Sequence, residues 1–360
     1  MREGWTYKKL GEVCDILDSQ RKPITKDKRE SGNIPYYGAT GCLDYVKDYI
    51  FDEKLVLLGE DGAKWGAGED SAYIITGKSW VNNHAHALRP KRETVIDELL
   101  VYYLNYANLQ SFITGVTVPK LNQEKMRSIL IPLAPLSEQK AIVSQLDSAF
   151  AHIDALKANA EKQLREAKAL FQKALEKAME PKEGWEEKKL PDISENLDSI
   201  RKPVTKGKRT AGIYPYYGAS GVVDYVDDYL FDEDLLCISE DGANLLMRTY
   251  PIAFPISGKV WVNNHAHVLR FKSMITQKYV EYFFSGMKLD EYITGAAQPK
   301  LTQKALNSII INIPPLSEQQ AIVSQLDQLS EKVKRLQEIQ EKIIKECDTL
   351  KQAILREVFE

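Results

Sequence analysis

A chain of 360 residues with 44% hydrophobic and 28% charged residues is globular in composition and long enough for two or more domains, which excludes a disordered chain. A net charge of −3 argues against a protein that coats nucleic acid indiscriminately, yet leaves room for a local basic strip on phosphates. The first residues lack the apolar stretch of a leader and no run approaches the roughly 18 apolar residues of a membrane span. The four cysteines form no CxxC pair, so we expect a cytoplasmic protein with reduced thiols and neither disulfide nor zinc framework.

The chain opens with "EGWTYKKL" from Glu3 and soon reaches "RKPITKDKRESGNIPYYGATG" from Arg21. Arg21, Lys22, Lys26, Lys28 and Arg29 concentrate positive charge before a turn-forming, Tyr-rich string, so they are candidate phosphate contacts, with Tyr36 or Tyr37 beside them. The alternative is a solvated basic loop leading into a packed tyrosine pair. Gly38 and Gly41 read first as turn residues. Short apolar runs such as "KLVLLGE" between Gly, Asn and Pro signals indicate a mixed, strand-rich domain. "EDGA" (Glu60, Asp61) places adjacent acids on opposite sides of an extended chain, which suits a cap or turn better than acid–base catalysis.

"WVNNHAH" from Trp80 is the most distinctive string. Read as one strand, it puts Trp80, Asn82, His84 and His86 on one face and Asn83 on the other. A His-x-His pair can ligate a metal, but no acidic or further His partner recurs at a useful spacing, so no metal or other cofactor is expected. Hydrogen-bonded structural roles and base contacts fit better: Asn pairs bidentately with adenine, and neutral His donates or accepts at a base edge. At "PLSEQ" the pattern turns helical. Pro135 ends a strand-like segment, Ser137 is the expected N-cap, and Glu138 sits at the positive end of the helix dipole. A stripe of Ile142, Leu146, Ala149, Ile153, Leu156, Ala160, Leu164, Phe171 and Leu175 then follows coiled-coil spacing.

The second half repeats the first. "EGWEEKKL" returns from Glu183, "RKPVTKGKRTAGIYPYYGASG" begins at Arg201, 180 residues on (201 − 21), and "SEDGA", "WVNNHAHVLR", "TGAAQPKLTQ" and "PLSEQQAIVSQLD" follow in the same order. The phosphate candidates recur as Arg201, Lys202, Lys206 and Lys208, with Arg209 beyond. The base or groove candidates are Tyr37, Asn83 and His84 in one copy and Tyr217, Asn264 and His265 in the other. Ser317 and Gln320 predict a capping box, and a second stripe runs from Ile322 through Leu326, Leu336 and Leu350 to Val358. The copies diverge after "EDGA", where Lys64 to Ser79 faces Asn244 to Val260, one residue longer, so Lys64 and Asn244 are added as candidates for reading different bases. Two such copies predict two similar domains in a pseudo-twofold molecule, whose long helices pack antiparallel. There is no P-loop, GxGxxG or GxSxG.

Two domains entered by "GW…KKL" and left through "PLSEQxAIVxxLD" into a long helix resemble the specificity subunit of type I restriction-modification systems. The resemblance spans essentially the whole chain, and Ala134 where the second copy has Pro314 is a small departure. It implies an α+β fold: target recognition domains at 1–135 and 183–315, spacer helices at 136–182 and 316–360. It also implies a chain without catalytic activity of its own. Each domain would read half of a bipartite double-stranded DNA target, the helices would set the spacing and bind two adenine-methylating modification subunits, and nuclease-translocase subunits could join. Because the copies share their reading strings, the two half-sites should approach an inverted repeat and differ mainly where 64–79 and 244–260 differ. Three other readings stay open at this point: a metal-dependent enzyme on the His-x-His pairs, a protein-binding scaffold, and the specificity chain of another multi-subunit methylation system.

Overall fold

The computed structural model describes residues 4–115, 117–295 and 297–360; Glu3, Val116 and Ala296, which belong to the repeated strings, lie outside them. The chain divides into two compact units, one of residues 1–161 with 341–360 and one of 162–340. Each unit therefore contains one copy of the repeated domain and a stretch of both long helices.

In the first unit a four-stranded antiparallel sheet takes the order Cys14–Ile16, Ala85–Pro90, Leu55–Gly59, Ala72–Ile75. Both faces of its central strand are covered, which is why "LVLLG" is apolar without alternation and every one of its residues is buried. Leu55 and Leu57 pack with Phe51 and Val81 of a second sheet. Val56 and Leu58 pack the other way, with Leu100 and Leu104 of the helix Asp97–Tyr106. The second sheet has the order Gly41–Val46, Ser31–Gly38, Lys78–Val81, Phe51–Asp52, with its two middle strands parallel. A short ladder of Thr6–Lys9 with Leu130–Leu133 closes the domain onto its own exit.

The second unit repeats this plan. Ser194–Asn196, Ala266–Phe271, Leu235–Ser239 and Ala253–Ile256 form one sheet. Gly221–Val226, Ala211–Gly218, Lys259–Val262 and Phe231–Asp232 form the other.

The long helices run over Leu136–Ala178 and Leu316–Phe359. They start before the expected serine caps. The carbonyl of Pro135 accepts from Gln139 N and that of Pro315 from Gln319 N, both at 2.9 Å, so Ser137 and Ser317 already lie inside the first turn and no capping box with Gln320 forms. The shared "SEQ" has other work. The indole of Trp5 donates to Glu138 at 2.9 Å and that of Trp185 to Glu318 at 3.0 Å, fastening each domain's entry to its exit helix. Buried Gln139 accepts from Ile96 N and donates to the carbonyls of Thr94 and Ala134.

Within the first unit the helix segments run antiparallel, with Asp154 paired to Lys351 and Lys157 to Asp348. Ile142 and Leu146 pack with Leu355 and Phe359. In the second unit Gln340 donates to Gln163 at 2.9 Å, and Leu175 packs in the same core as Ile322 and Leu326. The expected stripe is incompletely buried: Leu156 and Leu350 are about half exposed, at 50% and 49%. Among the described residues no helix is long and apolar enough to cross a membrane.

Candidate nucleic-acid interface

In each unit the repeated strings meet where the chain passes from the second sheet to the first. "WVNNHAH" is two strands joined by a turn, not the single strand its pattern suggests. Strand Lys78–Val81 ends, the carboxamide oxygen of buried Asn82 accepts from His84 N at 2.8 Å, and the chain turns into strand Ala85–Pro90. Asn83 and His84 are thereby exposed at the apex while His86 is fully buried, so the two histidines cannot chelate together. Asn263, Asn264, His265 and His267 repeat the arrangement.

The exposed histidine is oriented by "EDGA". Nδ1 of His84 faces Asp61, and Nδ1 of His265 lies 2.9 Å from Asp241. A carboxylate at Nδ1 fixes the proton there, which leaves Nε2 as the outward hydrogen-bonding atom of the neutral ring.

Beneath the turn lies a buried ion-pair network. Arg21 donates through Nη1 to Glu60 and to the carbonyl of Ala85, both at 2.6 Å, and Nη2 lies 3.3 Å from Asp18. Lys120 of "PKL" holds the other oxygen of Glu60 at 2.8 Å. His86 faces Asp18 with Nδ1 at 2.6 Å and the carbonyl of Leu121 with Nε2 at 2.7 Å. In the second unit Arg201, Asp198, Glu240, His267, Lys300 and Leu301 reproduce these contacts. Burial opposes the charge on Glu60 and Asp18, but the hydrogen bonds from Lys120 and Arg21 to the one, and from His86 to the other, hold both carboxyls below their ordinary range.

Two expectations are corrected here. Acidic partners for the second histidine of each pair do recur in both copies, as Asp18 with Glu60 and Asp198 with Glu240, close enough to suit a metal. Arginine and lysine already pair with these carboxylates, and both ring nitrogens of His86 face oxygens, so each of the three groups is engaged within the protein. Arg21 and Arg201, expected on phosphates, have side chains only 10% exposed and committed to this network.

The remaining basic residues are placed differently. Lys22, Lys26 and Lys28, like Lys202, Lys206 and Lys208, are exposed, and none enters an ion pair among the described residues. Their loop is pinned to the sheet. Trp80 Nε1 donates to the carbonyl of Lys22, the hydroxyl of buried Tyr36 bridges the backbone of Ile24, and Arg29 stacks on Tyr36 at 4.3 Å while pairing with Asp44. The Trp261, Tyr216 and Arg209 contacts are equivalent.

Tyr37 and Tyr217 are half-buried, packed on Tyr73 and Phe254. Lys64 is exposed, 3.8 Å from Glu69, on a loop that roots through buried Trp65. Asn244 uses both ends of its carboxamide on the backbone of Tyr250, shaping its own loop. Sequence patterns passed over Asp18, Lys120 and Lys300 as working residues, although "LDS" and "PKL" recur verbatim in both halves.

Each unit thus carries an exposed Asn–His turn and an exposed lysine loop on a charge-compensated frame. The chain belongs to the type I restriction modification DNA specificity domain family, whose model matches residues 2–166 and again 182–345. A relative from Haemophilus influenzae, named as a type I restriction enzyme specificity subunit, is 31% identical over 353 residues, covering 89% of this chain and 86% of its own. The EcoKI specificity subunit of Escherichia coli is 23% identical over 99% of this chain and 85% of its own. Among solved structures, a chain of a type I restriction-modification assembly shares the fold with a TM-score of 0.75 at 17% identity, covering 100% of this chain and 98% of that one. The HsdS subunit from Thermoanaerobacter tengcongensis does so with 0.57 at 18%, covering 100% and 97%.

Proposed function

We propose that this chain is the non-catalytic, DNA-reading subunit of a cytoplasmic type I restriction-modification complex. Each unit reads one half of a bipartite double-stranded target. Lys22, Lys26, Lys28, Lys202, Lys206 and Lys208 hold phosphates, while Asn83, His84, Asn264 and His265 meet base edges. The observation that carries this reading is the Asn–His turn, exposed and identically braced in both units beside three unpaired lysines. The helices set the spacing between half-sites and dock two modification subunits, a role that suits the apolar side chains of Leu170 and Leu350 left exposed on them. These two positions are equivalent in the repeat (350 − 170 = 180). Because the reading turns are the same, the two half-sites approach an inverted repeat.

The test is co-expression with an adenine-methylating modification subunit, followed by methylation-sensitive sequencing of host DNA. Methylation at a bipartite motif with a fixed gap is expected, with related halves. Absence of association, or methylation without a motif, would refute the reading; unrelated halves would refute the inverted repeat.

A further inference from the structure

In each unit the hairpin that ends "YYGA" carries a bulge. Tyr37 pairs with Cys42 and Tyr36 with Asp44, which leaves Leu43 as the extra residue of the edge strand; Val223 is the extra residue between Val222 and Asp224. A bulge re-aims the side chain it carries. Here it turns Leu43 onto Gly38. A Cβ on Gly38 would fall 2.5 Å from Leu43 Cδ1 and 3.2 Å from Asn82 Nδ2, and one on Gly218 would fall 3.1 Å from Val223 Cγ1 and 3.5 Å from Asn263 Nδ2. The glycine of "YYGA" thus makes room for an aliphatic side chain beside the asparagine that closes the reading turn. Leu43 and Val223 nonetheless remain 54% and 56% exposed.

The neighbours of this apolar spot are polar and cationic. Lys26 lies near enough to Asp44, the next residue of the strand, to help Arg29 hold its carboxyl below the ordinary range. Lys22 N donates to the carbonyl of Val81, directly before Asn82. An exposed aliphatic group among lysines and an Asn–His turn has a specific complement in DNA: the 5-methyl group of thymine, an apolar point on the major-groove edge between phosphates that the lysines attract.

We propose that Leu43 and Val223 each contact the 5-methyl group of a thymine neighbouring the base met by Asn83 or Asn264. The inference rests on the DNA-reading function given above. It adds a second source of difference between half-sites, since a longer Leu side chain in one unit stands where a shorter Val stands in the other.

The test uses this chain in complex with its modification subunit and duplexes carrying the methylated motif found in vivo, with deoxyuridine replacing each thymidine in turn. One thymine in each half-site should show an about fourfold loss of affinity on removal of its methyl group, equivalent to about 0.8 kcal/mol at 1.4 kcal/mol per tenfold. Leu43→Ala should abolish that sensitivity in one half-site and Val223→Ala in the other, with thermal stability unchanged because both side chains are exposed. Should either variant fold poorly, Leu43→Asn and Val223→Asn remove the apolar surface by another route. Half-sites without thymine, tolerance of uracil at every position within twofold, or sensitivity that persists in the variants would each overturn the proposal. Failure to prefer the motif over a scrambled duplex would instead sink the DNA-reading function itself.

Discussion

Replacing Arg21 by alanine separates a frame residue from a phosphate contact. The guanidinium bridges Glu60 and Asp18 and donates to the Ala85 carbonyl, with a side chain 10% exposed. Removing one partner of a buried ion pair costs about 3–5 kcal/mol. Glu60 keeps Lys120 at 2.8 Å and Asp18 keeps His86 at 2.6 Å, so the lower end, about 3 kcal/mol, is expected for Arg21→Ala. Arg201→Ala should match it, because Lys300 and His267 remain on Glu240 and Asp198. Urea denaturation of each purified variant, with the slope against denaturant checked for constancy, reads this directly. A phosphate contact behaves otherwise: its loss leaves stability alone, weakens every DNA sequence equally, and lowers the salt slope by about 0.9 per contact. A stability change below about 1 kcal/mol together with that loss of slope would refute the frame assignment.

The carboxyls of Asp18, Glu60, Asp198 and Glu240 are all held below their unfolded values, so their contribution is complete above about pH 5 and disappears as pH falls through the lower folded values. Acid titration by circular dichroism should therefore show structure retained through about pH 5, and Arg21→Ala should move the acid midpoint upward. Lys26→Ala and Lys28→Ala should weaken binding to all duplexes alike and flatten the salt dependence without loss of stability, as fluorescence anisotropy at several salt concentrations would show. Asn83→Ala should relax the methylated motif at one position of one half-site and Asn264→Ala at one position of the other, a discrimination of about 1–3 kcal/mol each. Equal loss on every sequence would make both asparagines structural.

The sequence discloses the repeated domain and its long exit helix because those depend on local signals: turn glycines, apolar runs and the 3.6-residue period after Pro135. It also singles out the string that carries Asn83 and His84, but reads its local structure wrongly. Alternation makes "WVNNHAH" look like one strand, whereas the side chain of Asn82 captures the amide two residues on and breaks it. The frame under the turn was hidden for a different reason. Asp18, Glu60, His86 and Lys120 are far apart in the chain, and only the pairing of neighbouring strands in the first sheet, with the bridge between Asp61 and Lys120, brings them together. A buried arginine and a solvated one read alike in sequence, so Arg21 could not be told from Lys22. The bulge at Leu43 is likewise invisible until the pairing of Tyr36 and Tyr37 is known.

The turn is braced from its inner side by the Asn82 side chain, by Asp61 against the His84 ring and by backbone hydrogen bonds to the His84 carbonyl, and Asn83 and Leu43 stand outside that bracing. Among the described residues no hydrogen bond ties the Asn83 side chain to the network beneath it, and Leu43 is 54% exposed. On the proposed function, substitutions at such positions change base preference while leaving the frame intact, without first having to repair a damaged fold. The same separation lets a reading turn be redesigned one exposed residue at a time, with thermal stability serving as the check that only preference has changed.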